Sequence, residues 1–264
     1  MAKTDPGSAF WELVRTRSGE IHEVRHTEHG STSDVTALVR YESGSVFVKA
    51  IRASRGPGHV ESIEREAAIN PCVPSPKLLW TLREGGWIVL GFEPADGRES
   101  NFEPGSADLQ AVVSVVDRIA ATEVPTLARG WVEDRWDRYC DGMDHLLLRG
   151  DTIVHGDINP NNILVSADGA TVVDWAWPTV GAGFIDPASL VVQLVASGHG
   201  AESAELWASH CGAWTNADPR AIDIFAAATV RMWQRQVNRN PGVEWVQAMT
   251  NAAQAWATHR RVAV

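Results

Sequence analysis

A chain of 264 residues can bury one large core or two smaller ones and is short for three domains. Its 33 acidic against 23 basic residues leave a net charge of −10, which argues against a protein that wraps a nucleic-acid polymer or lies on anionic lipid. Cys72, Cys140 and Cys211 stand far apart with no CxxC pair, and no apolar leader or bilayer-length run occurs, so the expectation is a soluble cytoplasmic protein without disulfides or a zinc cluster.

Alternation and β-branched content predict strands at residues 10–16, 21–26, 35–39 and 46–51, an antiparallel set whose last two members are joined by the tight YESGS turn. His22, His26 and His29 fall in this region without supporting acids or cysteines and read as a polar strand face rather than a metal site. A helix is predicted at 58–69, stopped by Asn70-Pro71, followed by strands at 77–82 and 87–92 around the turn REGG. Residues 94–106, rich in Pro, Gly, Ser and acid, have no periodicity and read as a linker. Beyond it the pattern is helical at 109–122 and 132–148 and after Pro219 and Gly242, with one β-rich insert at 152–175. Asp186-Pro187 and Asp218-Pro219 have the form of helix starts, with Asp as cap and Pro in the first turn.

The chemistry concentrates in His155-Gly156-Asp157-Ile158-Asn159-Pro160-Asn161-Asn162 and the later Val172-Val173-Asp174-Trp175. An aspartate, an asparagine five residues on and a second aspartate twelve beyond that suit Mg-nucleotide phosphoryl transfer. Asp157 can orient a hydroxyl and take its proton, while Asn162 and Asp174 present hard oxygen ligands to Mg²⁺. Lys49 stands among Val46, Phe47, Val48 and Ile51 in a chain whose only other lysines are Lys3 and Lys77, so a compact ammonium has been kept there. On the helix at 58–69, Val60, Ile63 and Ala67 mark the core stripe; Glu66 lies beside it, whereas Glu61 and Glu64 lean away. His29-Gly30-Ser31-Thr32-Ser33-Asp34 is a polar turn between strands whose amides and hydroxyls can hold phosphate.

The motif HGDxxxxN followed by VVDW resembles the aminoglycoside phosphotransferase family, relatives of protein kinases in the same superfamily as choline kinase. Val46-Phe47-Val48-Lys49, Ile63-Glu64-Arg65-Glu66, Pro74-Ser75-Pro76-Lys77 and Gly183-Phe184-Ile185-Asp186-Pro187 are similar to further family elements, so the resemblance covers most of the chain. It implies an α+β, protein-kinase-like bilobal fold. Residues 1–93 form the nucleotide lobe, an antiparallel sheet with one main helix; 94–106 link it to a mostly helical lobe, 107–264, with the catalytic loop and acceptor site. It further implies that Asp157 is catalytic, that Asn162 and Asp174 hold Mg²⁺, and that Gly30, Ser31, Thr32, Lys49 and its partner Glu66 serve the phosphates of ATP or GTP. The base is expected near Leu90 and Phe92. Asn159 in place of the lysine of protein kinases, Trp175-Ala176 in place of their Phe-Gly, and only eleven residues between Asp174 and Asp186 favour a small-molecule kinase.

The expected acceptor is a hydroxyl of an antibiotic, whether an aminoglycoside, a tuberactinomycin-like peptide or a nucleoside, with a resistance role suggested by Arg-rich, Lys-poor composition. A metabolic kinase for choline, homoserine or a sugar is the alternative, and a non-catalytic nucleotide-binding module a third class. Of twelve tryptophans, nine follow residue 130, and most read as helix-packing residues with one or two left to stack on a ligand. Glu202, Glu205, Asp223 and Glu244 either attract a polycation or are solvated helix faces.

Overall fold

The computed structural model describes residues 6–27 and 33–264. The chain divides into two compact units, one comprising Met1–Gly97 and Thr171–Trp177, the other Arg98–Ala170 and Pro178–Val264.

The first unit contains α1 (Ser8–Ser18), β1 (Ile21–His26), β2 (Val35–Tyr41), β3 (Gly44–Arg52), α2 (Pro57–Ile69), β4 (Leu78–Glu84) and β5 (Trp87–Phe92). The strands form one antiparallel sheet in the order β1-β2-β3-β5-β4. Alternation along β3 sends Val46, Val48 and Ala50 to one face and Phe47 and Ile51 to the other. The first set packs with Phe10 and Val14 of α1, the second with Ile63 of α2. Lys49 therefore belongs to the α2 face of a central strand, in register with Thr36 of β2 and Leu90 of β5.

Residues 10–16, expected as a strand, are helical. Phe10 and Val14 are one turn apart and both buried, and the Phe10 ring packs 4.7 Å from that of Trp87. A short apolar run fits both periods, and here burial against the sheet selects the helical one.

The second unit contains β6 (Arg98–Glu99), α3 (Leu109–Ala120), β7 (Thr152–Val154), β8 (Ile163–Ser166), β9 (Gly169–Val172), β10 (Thr179–Gly181), α4 (Ile185–Ala196), α5 (Ala201–Ala208), α6 (Gly212–Thr215), α7 (Pro219–Arg239) and α8 (Glu244–His259). The last two residues of β9 already belong to the first unit. β7 pairs with β10, and β6 with β8. The segment 94–106 thus carries a short strand, and Arg98 grips Asp108 with two nitrogens at 2.6 and 2.7 Å.

Residues 132–148, expected as a helix, form only 3₁₀ turns at Asp137–Tyr139 and Asp144–Leu148. Gly142, with φ 52°, interrupts any continuous helix between them. Glu133, 1 % exposed, is instead surrounded by donors: the Arg135 amide at 2.8 Å, the Arg135 guanidinium and the Thr179 hydroxyl. Asp218 caps α7 as expected, accepting the Arg220 amide at 2.9 Å. Asp186 does not cap α4; it lies inside the first turn, and Phe184 occupies the cap position. No helix among the described residues is long and apolar enough to cross a membrane.

Candidate active site

Lys49 is 6 % exposed, and its Nζ lies 2.7 Å from Glu66 Oε2 and 2.6 Å from Asp174 Oδ1. Burial by itself favours the neutral amine, but the attraction of two carboxylates outweighs it and raises the Lys49 pKa, so the ammonium is the resident form. Glu66 is 5 % exposed, on the α2 face turned to the sheet. Glu61 and Glu64 lie outside it and pair with Arg65 and Arg83. Asp174 has φ 60°, a left-handed conformation that Asp tolerates better than bulkier residues but still at a cost. The surrounding stretch is pinned within the first unit: Val172 N donates to Pro74 O at 2.9 Å, and Trp175 Nε1 to Val172 O at 3.1 Å.

Leu90 and Phe92 are buried in the cluster under α2. β5 is paired on both sides, and the Glu93 amide donates to Lys77 O at 2.8 Å. The expected base contacts thus fall on residues whose side chains are already part of the core. Gly30, Ser31 and Thr32, the expected phosphate turn, lie outside the described residues, as does His29.

In the second unit the loop after β7 carries Asp157, whose side chain is exposed. Both of its oxygens are held by amides: Asn159 Nδ2 donates to Oδ1 at 3.0 Å and Asn162 Nδ2 to Oδ2 at 2.9 Å. Asn162 Nδ2 also reaches the Asp157 carbonyl at 2.9 Å, and Asn159 Oδ1 accepts the amides of Asn161 and Asn162 at 3.0 and 3.2 Å. Asparagine suits such a loop because its side chain both donates and accepts locally. The part Asn159 plays in orienting Asp157 is absent from the sequence reading, although its spacing of two residues from Asp157 is the ordinary one for an Asx-type contact.

His155 is buried, and its Nδ1 accepts the Asp157 amide at 3.2 Å, which makes it a loop-tying residue. Asp186 accepts the amides of His155 and Gly156, each at 2.8 Å. Its pKa is raised by burial, against the lowering influence of His155 and these two amides. Gly156 has φ 75°, and a Cβ there would run into the Arg135 guanidinium. Arg135, fixed by Glu133, therefore fits against bare backbone one residue before Asp157.

Asp174 in the first unit offers a carboxylate, and Asn162 in the second, whose Nδ2 is spent on Asp157, offers an amide oxygen; each by itself is a hard donor of the kind magnesium takes. Among the described residues no group of three or more His, Cys, Asp or Glu side chains is placed to hold a metal ion.

A five-stranded antiparallel sheet with a helix on each face, followed by a mostly helical unit, is a protein-kinase-like α+β fold. Choline kinase LicA from Streptococcus pneumoniae shares it, with a TM-score of 0.65 at 14% identity over 95% of this chain and 100% of that one. A thermostable mutant of aminoglycoside phosphotransferase APH(4)-Ia gives 0.61 at 12% identity, over 94% and 98% of the two chains. The amicoumacin kinase hAmiN, in complex with AMP-PNP, Ca²⁺ and Ami, gives 0.57 at 11% identity, over 98% and 95%. No protein-family model and no curated protein matches the sequence. The fold is thus the one common to aminoglycoside phosphotransferases and choline kinase, as the sequence motifs imply.

Proposed function

We propose that the protein transfers the γ-phosphoryl group of ATP or GTP to a hydroxyl of a small molecule. The observation that carries this reading is the buried Lys49 ammonium, bonded to both Glu66 and Asp174. A purely structural lysine does not need two carboxylates, and burying the Lys49–Glu66 pair with the half-buried Asp174 beside it is costly. In the proposed role Glu66 holds the ammonium for the nucleotide phosphates. Asp174 and Asn162 hold Mg²⁺, which when bound neutralises charge on the phosphate oxygens.

Asp157 then acts on the acceptor. The acceptor oxygen forms a bond to the γ-phosphorus, the bond from that phosphorus to the β,γ-bridging oxygen breaks, and the hydroxyl proton passes to the Asp157 carboxylate. Asn159 and Asn162 fix the rotamer of that carboxylate, supplying the positioning on which this chemistry depends. The phosphate turn at Gly30, Ser31 and Thr32, and base contacts at the backbone of Leu90 and Phe92, complete the proposed nucleotide site.

The finer reading is that the acceptor is an antibiotic, supported by the fold shared with APH(4)-Ia, solved with AMP-PNP and hygromycin B, and with hAmiN. A metabolic acceptor is the second reading, supported by the likeness to choline kinase LicA. A cytoplasmic location accords with either.

Incubation with Mg-ATP and Mg-GTP and a panel of antibiotics, choline, homoserine and sugars, with product mass read for one added phosphoryl group, tests both. Asp157→Ala is expected to abolish transfer while leaving nucleotide affinity within a few-fold. Full turnover by that variant overturns the assignment, and modification of choline, homoserine or a sugar alone overturns the antibiotic reading.

A further inference from the structure

Asn159 and Asn162 orient the Asp157 carboxylate, but the backbone that carries it is fixed by charges one residue upstream. The peptide unit joining His155 to Gly156 has an ionic group at each end. Its N–H, on Gly156, donates to Asp186 Oδ1 at 2.8 Å, and its carbonyl, on His155, accepts from Arg135 Nη1 at 3.4 Å. The second contact is long, but its donor is ionised, and a cation at the carbonyl end with an anion at the amide end matches the peptide dipole. Turning this peptide over would set each pole against a charge of its own sign. The two charges together therefore select one orientation of the chain entering Asp157.

Arg135 is itself held from behind. Its Nε donates to the two oxygens of Glu133 at 3.0 and 2.9 Å, and its Nη2 to Glu133 and, at 2.8 Å, to Thr179 Oγ1, which turns Nη1 toward His155. Glu133 is buried and also accepts the Arg135 amide and the Thr179 hydroxyl, so the carboxylate that grips the guanidinium has no freedom to turn. A planar fork can meet all these directions at once, which a lysine cannot. Gly156 completes the seat: with φ 75° its bare Cα lies against the guanidinium, where a Cβ would collide with it. The loop thus does without a side chain next to Asp157 in order to admit this cation. A salt bridge serving only the segment at Glu133 and Arg135 would not require that.

We propose that Arg135 is a positioning residue that holds the His155–Gly156 peptide, and through it Asp157, in the orientation needed for phosphoryl transfer. The proposal rests on the phosphotransferase reading. Arg135 acts through the backbone and does not touch the reacting atoms.

Arg135→Ala removes the cation, and because 30% of the Arg135 side chain is exposed, the space it leaves is open to added guanidinium. Rates of phosphoryl transfer from Mg-ATP to water, and to the antibiotics, choline, homoserine and sugars of the acceptor panel, are compared for the intact protein and the variant. We expect kcat to fall about 100-fold, the scale of a misplacement of about 1 Å. The KM for Mg-ATP should stay within a few-fold, because Lys49, Glu66 and Asp174 belong to the first unit. Millimolar guanidinium chloride should restore kcat saturably, with sodium chloride at the same ionic strength without effect. A fold that had merely loosened would respond in the opposite way, guanidinium being a denaturant. Arg135→Ala strands the buried Glu133 carboxylate, so the combined variant Glu133→Gln with Arg135→Met, which leaves no unpaired charge, is measured beside it. It should fold, lose kcat by a similar factor and show no response to guanidinium. An unchanged kcat in either folded variant overturns the proposal, as does a loss carried by the KM for Mg-ATP or a folded Arg135→Ala that guanidinium does not restore. Failure of both variants to fold makes Arg135 a structural residue and overturns it as well. If the intact protein transfers phosphate to no acceptor and to no water, the phosphotransferase reading falls and this proposal with it; transfer that is undiminished in the variants sinks this proposal alone.

Discussion

Replacing Lys49 by methionine keeps most of the side-chain volume and removes the ammonium. Two carboxylates lose their cation, unequally. Asp174 has 29% of its side chain exposed and can turn to water, whereas the Glu66 side chain is 6% exposed and cannot. Breaking a buried pair from one side costs about 3–5 kcal/mol. A ceiling follows because the stranded carboxyl can take up a proton instead: from its ordinary value near ~4.3, this costs about 3.7 kcal/mol at pH 7 and about 1 kcal/mol at pH 5. Lys49→Met should therefore lose about 3–4 kcal/mol at pH 7 and only about 1 kcal/mol at pH 5. The sign follows from linkage: without its cation the buried carboxyl binds its proton more tightly when folded than when unfolded, so the penalty is full at high pH and recedes as pH falls. Adding Glu66→Leu should recover most of the loss at pH 7 by removing the stranded charge. Urea unfolding of the wild type, the single variant and the double variant at the two pH values measures each difference. A loss independent of pH, or no recovery in the double variant, refutes the electrostatic reasoning.

Gly156→Ala puts a Cβ against Arg135 at a residue with φ 75° and should cost about 1–3 kcal/mol, read as a lowered thermal midpoint; an unchanged midpoint removes the close-approach argument. Asp186, raised by burial, binds its proton more tightly in the folded chain, so its contribution to stability falls as pH rises from the ordinary carboxylate range through its folded pKa. Asp186→Asn should remove that slope from the acid limb of the stability curve while leaving one of the two donating amides without an acceptor, at a cost of about 1–3 kcal/mol. Persistence of the slope in the variant assigns it to another group. Burial pushes the Cys211 thiol up to about 12 and Cys140 up to about 11, while Cys72 is exposed. A disulfide reagent at mildly alkaline pH should modify Cys72 quickly, the half-buried Cys140 more slowly and Cys211 only on unfolding; fast reaction of Cys211 contradicts its burial.

Much of the first unit was legible because its signals are local. The strand at 21–26, the hairpin through Gly44, the helix ending at Asn70-Pro71 and the pair around Gly85-Gly86 all rest on periodicity and turn residues. The segment 10–16 was misassigned for the complementary reason: Phe10, Trp11, Leu13 and Val14 satisfy both periods, and the deciding partner, Trp87, lies far along the chain. Residues 132–148 went wrong in the same way. Their backbone is held by Glu133, Arg135 and Thr179, a polar network with no sequence period. Asp186 had the composition of a helix cap, yet its carboxylate serves amides thirty residues away.

The candidate site divides along the same line. Lys49 and Glu66 stand out because a lone lysine in an apolar strand and a glutamate beside a helical core stripe contradict their surroundings, and such contradictions are where function leaves a local trace. The structure brings these two together at 2.7 Å. Asn159 contradicts nothing locally: it is one asparagine among three in its loop, and its part appears only in the contact of its Nδ2 with Asp157 Oδ1 at 3.0 Å. Its role is therefore read from a contact that no spacing gives, whereas Lys49 and Glu66 are read from composition and helical period.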